Sequence, residues 1–132
     1  MSMVLVDASA WIDYLRFGEG LLSDQLEKLL EENRASLCGI AIAEVRQGLR
    51  PHEEQDVLDL FETLPYLETT REDYDTAGAL LAGLRRGGIS IPVMDGLMAQ
   101  LALRHEIALL ENDKHFSSVE GLERVLWREP QV

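Results

Sequence analysis

The stretch MVLVDASAWIDYL, residues 3–15, decides the fold. Met3-Val4-Leu5-Val6 is a short apolar run that stops at Asp7, the mark of a buried strand. From Ser9 the period changes, and Ala8, Trp11, Ile12 and Leu15 fall on one helical face. The same alternation of strand and helix runs outward along the chain. Residues 35–38 and 107–110 are further strands, Tyr66-Leu67 is a brief one, and Val125-Leu126-Trp127 reads as a closing edge strand. Between them, Leu22, Leu26, Leu29 and Leu30 repeat at helical spacing with acids opposite. Gly39 opens a turn, and residues 40–49 read as a helix that stops before Pro51. Val57, Leu60, Phe61 and Leu64 mark the next helix, and Tyr74, Ala77, Leu81 and Leu84 another, closed by Gly87-Gly88. Residues 94–103, MDGLMAQLAL, are apolar almost all round and predict a buried helix. The expected fold is α/β: one domain over residues 1–132, with a short central, mostly parallel sheet flanked by helices.

At 132 residues and 46% hydrophobic composition, the chain has enough sequence for one core. No apolar run approaches the roughly 20 residues of a bilayer span, so no membrane partner is expected. The N-terminus shows no secretory signal, and the single cysteine, Cys38, excludes an internal disulfide. Cys38 reads as a small core residue in a reducing, cytoplasmic setting. The net charge of −12 argues against nucleic acid until its distribution is seen. Residues 19–32 hold five acids and one base, and residues 53–75 hold nine acids and one base. Those stretches carry the whole excess; the remainder holds ten acids and ten bases.

Four of those ten acids stand out. Ligands of open parallel sheets sit outside the carboxyl ends of the strands. Asp7 and Asp113 each follow an apolar strand, and Asp95 opens the buried helix. Glu44 shares a helix face with Ile40, Ala41 and Gly48, an apolar surface that faces inward. Taken singly, Asp7 and Asp95 read as helix N-caps worth about 1 kcal/mol, and Asp113 as a turn residue. Caps and turns do not account for Glu44, because an unpaired inward charge is costly. Carboxylates that converge repel one another and raise each other's pKa, a conflict that a divalent cation resolves. Oxygen donors suit Mg²⁺ or Mn²⁺ rather than zinc, and His52, His105 and His115 read as ordinary surface histidines. A cation held this way can activate water against a phosphodiester.

With these motifs in this order, the chain resembles the PIN-domain ribonucleases, specifically the VapC-type toxins of prokaryotic toxin–antitoxin pairs. The resemblance runs from about Met3 to Trp127. It rests on Asp7-Ala8-Ser9 after the first strand, Glu44 in IAIAEVRQGL, Asp95 in IPVMDGLMAQLA and Asp113 in IALLENDKHF. It implies a PIN-like domain whose Asp7, Glu44, Asp95 and Asp113 hold Mg²⁺ or Mn²⁺, with Ser9 orienting Asp7 or a metal-bound water. It further implies endonucleolytic cleavage of single-stranded or looped RNA, and inhibition by a VapB-type antitoxin that inserts a peptide near the pocket. A homodimer that reaches operator DNA only through the antitoxin is implied as well. Two positions depart from the pattern. Met98 replaces a branched residue, and Glu111 stands where Thr or Ser is usual, either adding a ligand or pointing away.

Arg16, Arg46, Arg50, Arg85, Arg86 and Lys114 are candidate phosphate contacts, with solvated or ion-paired charge as the competing reading. Arg85 and Arg86, before Gly87-Gly88 and on the approach to Asp95, are foremost. The acidic, leucine-striped helices at 21–32 and 53–64 are either a face for a basic antitoxin or simply solvated. A response-regulator receiver would need adjacent acids after the first strand, an Asp ending a middle strand and a late Lys-Pro, and none is present. A haloacid-dehalogenase-like phosphatase would need Asp where Ser9 stands. The remaining alternative is a catalytically inactive PIN-like interaction module, which the intact set of four acids disfavours.

Overall fold

The strand β1 (Val4–Val6) runs through the middle of the sheet with all three residues buried. The computed structural model describes residues 2–127. β1 pairs in parallel with β2 (Ala35–Cys38) on one side and with β4 (Ala108–Leu110) on the other. β3 (Tyr66–Leu67) adds to β2, also in parallel, giving the order β3-β2-β1-β4. Six helices connect and cover the strands: α1 (Ala8–Arg16), α2 (Leu21–Glu31), α3 (Gly39–Gln47), α4 (Glu54–Glu62), α5 (Arg71–Arg86) and α6 (Val93–His105). Every strand pairing is parallel, as strand–helix alternation requires, because a crossover is the only route between parallel neighbours.

The expected closing strand at Val125-Leu126-Trp127 is not formed. The segment crosses the β4 edge at one parallel bridge, Leu109 to Arg124. The Leu109 N–H donates to the Glu123 carbonyl and the Val125 N–H to the Leu109 carbonyl, both at 2.9 Å. Gly39 does not open a turn either; β2 passes straight into α3, which begins there. A side chain at Gly39 would place Cβ 2.9 Å from the Tyr66 hydroxyl, so glycine there leaves room for the Tyr66 ring of β3.

α6 is buried almost all round, as its sequence demands, with Gly96, Leu97, Met98, Ala99, Leu101 and Ala102 inside. It packs against α5 as a hairpin, and at Gly96 the helices come so near that a Cβ would lie 2.9 Å from Leu81. The far end of the hairpin is fixed by charge. Thr70 caps α5, and the Asp73 carboxylate, fully buried, accepts the Thr70 N–H at 2.8 Å. Arg104 of α6 then donates to both oxygens of Asp73, at 2.7 and 2.9 Å, and to the Glu68 carbonyl. Burial pushes the Asp73 carboxyl up, but the bonds from Arg104, Thr70 and Gln100 outweigh it and bring the pKa down to about 2.

The folded value lies below the ordinary 3.8, so the stabilisation is complete above that pH and fades as the pH falls toward about 2. Its size is on the order of 2 kcal/mol, less the screening at Arg104, whose side chain is 36% exposed. Asp73→Asn is therefore expected to flatten the loss of urea resistance between about pH 4 and about pH 2. A variant that keeps the wild-type acid slope would show that Arg104 does not hold this charge.

Candidate functional site

Four elements deliver the four acids to one edge of the sheet. Asp7 follows β1 and is the N-cap of α1, its carboxylate accepting the Ser9 N–H at 3.1 Å. The Ser9 hydroxyl donates to the same oxygen at 2.5 Å and accepts the Asn112 N–H at 2.8 Å. One serine thus ties the start of α1 to the loop after β4. Asp7 is 5% exposed, and burial drives its pKa up; the Ser9 bonds oppose this, while the charge of Asp95 adds to it.

Glu44 is half-buried on α3, the helix that leaves β2. Its pKa is raised by burial first and then by the charges of Asp7, Asp95 and Asp113. The structure thus brings together the four acids singled out by sequence, near enough for each to act on others. Asp95 is the third residue of α6, whose N-cap is Pro92, so the capping explanation fails for it. Burial raises the Asp95 pKa, a bond from His115 lowers it, and Asp113 raises it again. Asp113 caps the short 3-10 helix Lys114–Ser118 by accepting the His115 N–H at 2.9 Å.

His115 corrects the expectation that all three histidines lie apart from the site. Its Nδ1 is 2.9 Å from Asp95 Oδ2 and 3.0 Å from Asp113 Oδ1. Asp95, Asp113 and His115 present donor atoms all within 4.8 Å of one another, a set able to hold a metal ion. The signal for His115 is its position two residues after an Asp at the start of a helical turn. The bond from Asp113 to the His115 N–H turns that residue back over the acid that caps it. His52 is exposed, and His105 lies in the last turn of α6.

Glu111 is not one of the three residues whose donor atoms come together, and Arg124 engages its carboxylate. Glu111 is 2% exposed, and both its oxygens accept Arg124 Nη2, at 2.7 and 3.1 Å. Cys38 is fully buried, and desolvation pushes its thiol up to about 11, in keeping with a core residue. Among the basic candidates, Arg46 pairs with Glu54 at 2.6 Å and Arg16 donates to the Gly48 carbonyl at 2.7 Å. Arg85 and Arg86 are exposed on the wall of an open groove of about 610 Å³, whose lining also includes Leu81, Ala82, Ser90, Ile91 and Val93.

A model of the PIN domain matches residues 4–122, and the chain belongs to the PIN-domain family. It is similar to VapC ribonuclease Mb1587 of Mycobacterium bovis and to ribonuclease VapC11 of Mycobacterium tuberculosis. Each is 28% identical over 122 residues, spanning 89% of this chain and 91% of the relative. The fold is also that of DNA-bound VapBC from Salmonella typhimurium, with a TM-score of 0.80 at 19% identity over 97% of this chain and 100% of that one. VapBC2 from Rickettsia felis, bound to a fragment of its promoter, gives 0.78 at 21% identity, covering 96% and 99%.

The burial of Glu44 among like charges predicts a stability change of definite sign. The folded pKa of Glu44 lies above its ordinary 4.5, so its ionisation costs stability at neutral pH, and the cost vanishes as the pH falls below that value. Glu44→Gln in metal-free protein is expected to melt above wild type at pH about 7, with the gain shrinking toward pH about 4. A variant that melts lower at neutral pH would show that burial and repulsion together do not burden Glu44.

Proposed function

We propose that this chain is a VapC-type endoribonuclease that hydrolyses RNA phosphodiesters at the acidic cluster with Mg²⁺ or Mn²⁺, under the control of a VapB-type antitoxin. The observation that carries this reading is the convergence of Asp7, Glu44 and Asp95 with their pKa values all raised, next to Asp113. The charges acting on Glu44 are all of one sign, which is the environment a cation relieves. The donor set fits a divalent ion: the carboxylates of Asp95 and Asp113 and the imidazole of His115 lie within 4.8 Å of one another, and Asp7 and Glu44 stand near enough to feel charge from these acids. Bound there, such an ion supplies a water of lowered pKa and neutralises charge building on the phosphate.

The chain's own groups set that chemistry up. Ser9 fixes the Asp7 carboxylate by two bonds to one oxygen, its N–H and its hydroxyl both donating to Oδ2. Burial of Asp7 places one charge of the site in a medium less polar than water, where a cation attracts it more strongly. Arg85 and Arg86, with no ion pair to give up among the described residues, suit the phosphates of an incoming strand better than Arg46 does. The acids of α2 and α4 lie opposite the buried Leu22, Leu26, Leu29, Val57 and Phe61, an outward charge suited to a basic antitoxin. By analogy with the DNA-bound VapBC complexes, the chain meets operator DNA only through the antitoxin, and the family resemblance adds a homodimer as the functional unit. A cytoplasmic location goes with this reading, and no helix among the described residues is long and apolar enough to cross a membrane.

The test is cleavage of an RNA panel by antitoxin-free protein with Mg²⁺ or Mn²⁺, with EDTA, and with Asp95→Asn. EDTA should abolish cleavage. Asp95→Asn should lower it by more than the roughly 10- to 100-fold that loss of an outer-sphere partner costs. The variant should keep its fold, since Asp95 caps no helix. Cleavage by Asp95→Asn at the wild-type rate would remove the cluster from the reaction. A protein that neither cleaves nor binds Mn²⁺ would be the inactive interaction module instead.

A further inference from the structure

The loop that carries Asp113 is held from behind. The carbonyl of Glu111 and the N–H of Asn112 are opposite ends of one planar peptide unit. The carbonyl accepts the indole Nε1–H of Trp127 at 2.7 Å, and the N–H donates to the Ser9 hydroxyl at 2.8 Å. That hydroxyl is the one bonded to Asp7. A rigid unit gripped at both ends transmits the orientation imposed at one end to the other. The side chain of the same residue is also held, by Arg124, and the segment bearing Arg124 and Trp127 is fastened to β4 through the paired bonds at Leu109.

Burial alone does not call for this arrangement. An apolar residue would fill a site 2% exposed at no cost in desolvation, whereas a charge pair there contributes direction. We infer that the segment from residue 122 to residue 127 is a strut for the acid cluster, with Trp127 and Arg124 as positioning residues. They act through the peptide between Glu111 and Asn112 on Ser9, Asp7 and Asp113. The link to metal binding and cleavage rests on the nuclease reading above; the mechanical link does not.

Two variants test it in the full chain. Trp127→Phe keeps the ring and removes the N–H, and Arg124→Met removes the guanidinium. Asp73→Asn serves as control, a buried ion pair lost from the other end of the α5–α6 hairpin. In metal-free protein, the Asn112 amide is expected to exchange with deuterium about two- to tenfold faster in both variants, the effect of weakening one ordinary hydrogen bond. Its rate should be unchanged in Asp73→Asn. Mn²⁺ affinity and kcat should fall by roughly tenfold or more in both variants, with KM for RNA unaltered, at temperatures where each is fully folded.

Unchanged exchange at Asn112 in Trp127→Phe overturns the strut even if Arg124→Met fails to fold. Equal losses in Asp73→Asn overturn it too, since they would reflect general loosening. Should the wild type neither bind Mn²⁺ nor cleave RNA, the nuclease reading fails, and amide exchange still decides the strut.

Discussion

The parallel ladders on either side of β1 are the constraint from which the site follows. Val4, Leu5 and Val6 pair with Ala108, Leu109 and Leu110 on one side, and Val4 and Leu5 with Ala35 and Ser36 on the other. Because both ladders are parallel, the three strands end at one edge, and the chain must leave β1, β2 and β4 there. α6 returns antiparallel to β4, so its first turn reaches the same edge. Asp7, Glu44, Asp95 and Asp113 meet because of that geometry, against their own repulsion. A slip of one residue in the β4 register would carry the Asp113 loop about 3.3 Å along the strand and turn its side chains to the opposite faces.

Much of this is legible in the sequence because it is local. Apolar runs and helical stripes report which neighbours within four positions share a face, and they located four strands and six helices. What they missed is long-range. Asp73 and Arg104 are 31 positions apart, and nothing in the stripe of α5 distinguishes the buried Asp73 from its exposed neighbours Glu72 and Tyr74. The ambiguity at Glu111 is of the same kind, because its direction is set by Arg124, 13 positions on. At residues 125–127 the pattern reported faces correctly and pairing wrongly. Val125 and Trp127 are partly buried and Leu126 is 85% exposed, a true alternation, yet the segment meets β4 at a single bridge.

The competing interpretations of the acids turn out not to be exclusive. Asp7 caps α1 and Asp113 caps the 3-10 helix, while both belong to the cluster. A carboxylate has two oxygens, and a cap uses one. Asp7 shows this directly, since both bonds from Ser9 fall on the same oxygen. The error at His115 has the same root. Treated as a lone surface histidine it has no partner, but the cap at Asp113 folds the backbone so that the ring lies between two acids.

This division of labour gives the four acids different fates over evolutionary time. Asp7 and Asp113 each cap a helical turn, whereas Asp95 caps nothing and Glu44 sits in the body of a helix with no cap to offset the burden of its charge. A descendant freed from selection for activity would shed Glu44 and Asp95 first, and would gain stability at Glu44 by doing so. It would keep Asp7 and Asp113 far longer as structural relics. On the reaction proposed for the cluster, the second and third acids of such a sequence would date the loss of activity, while the first and fourth would record only that the chain still folds.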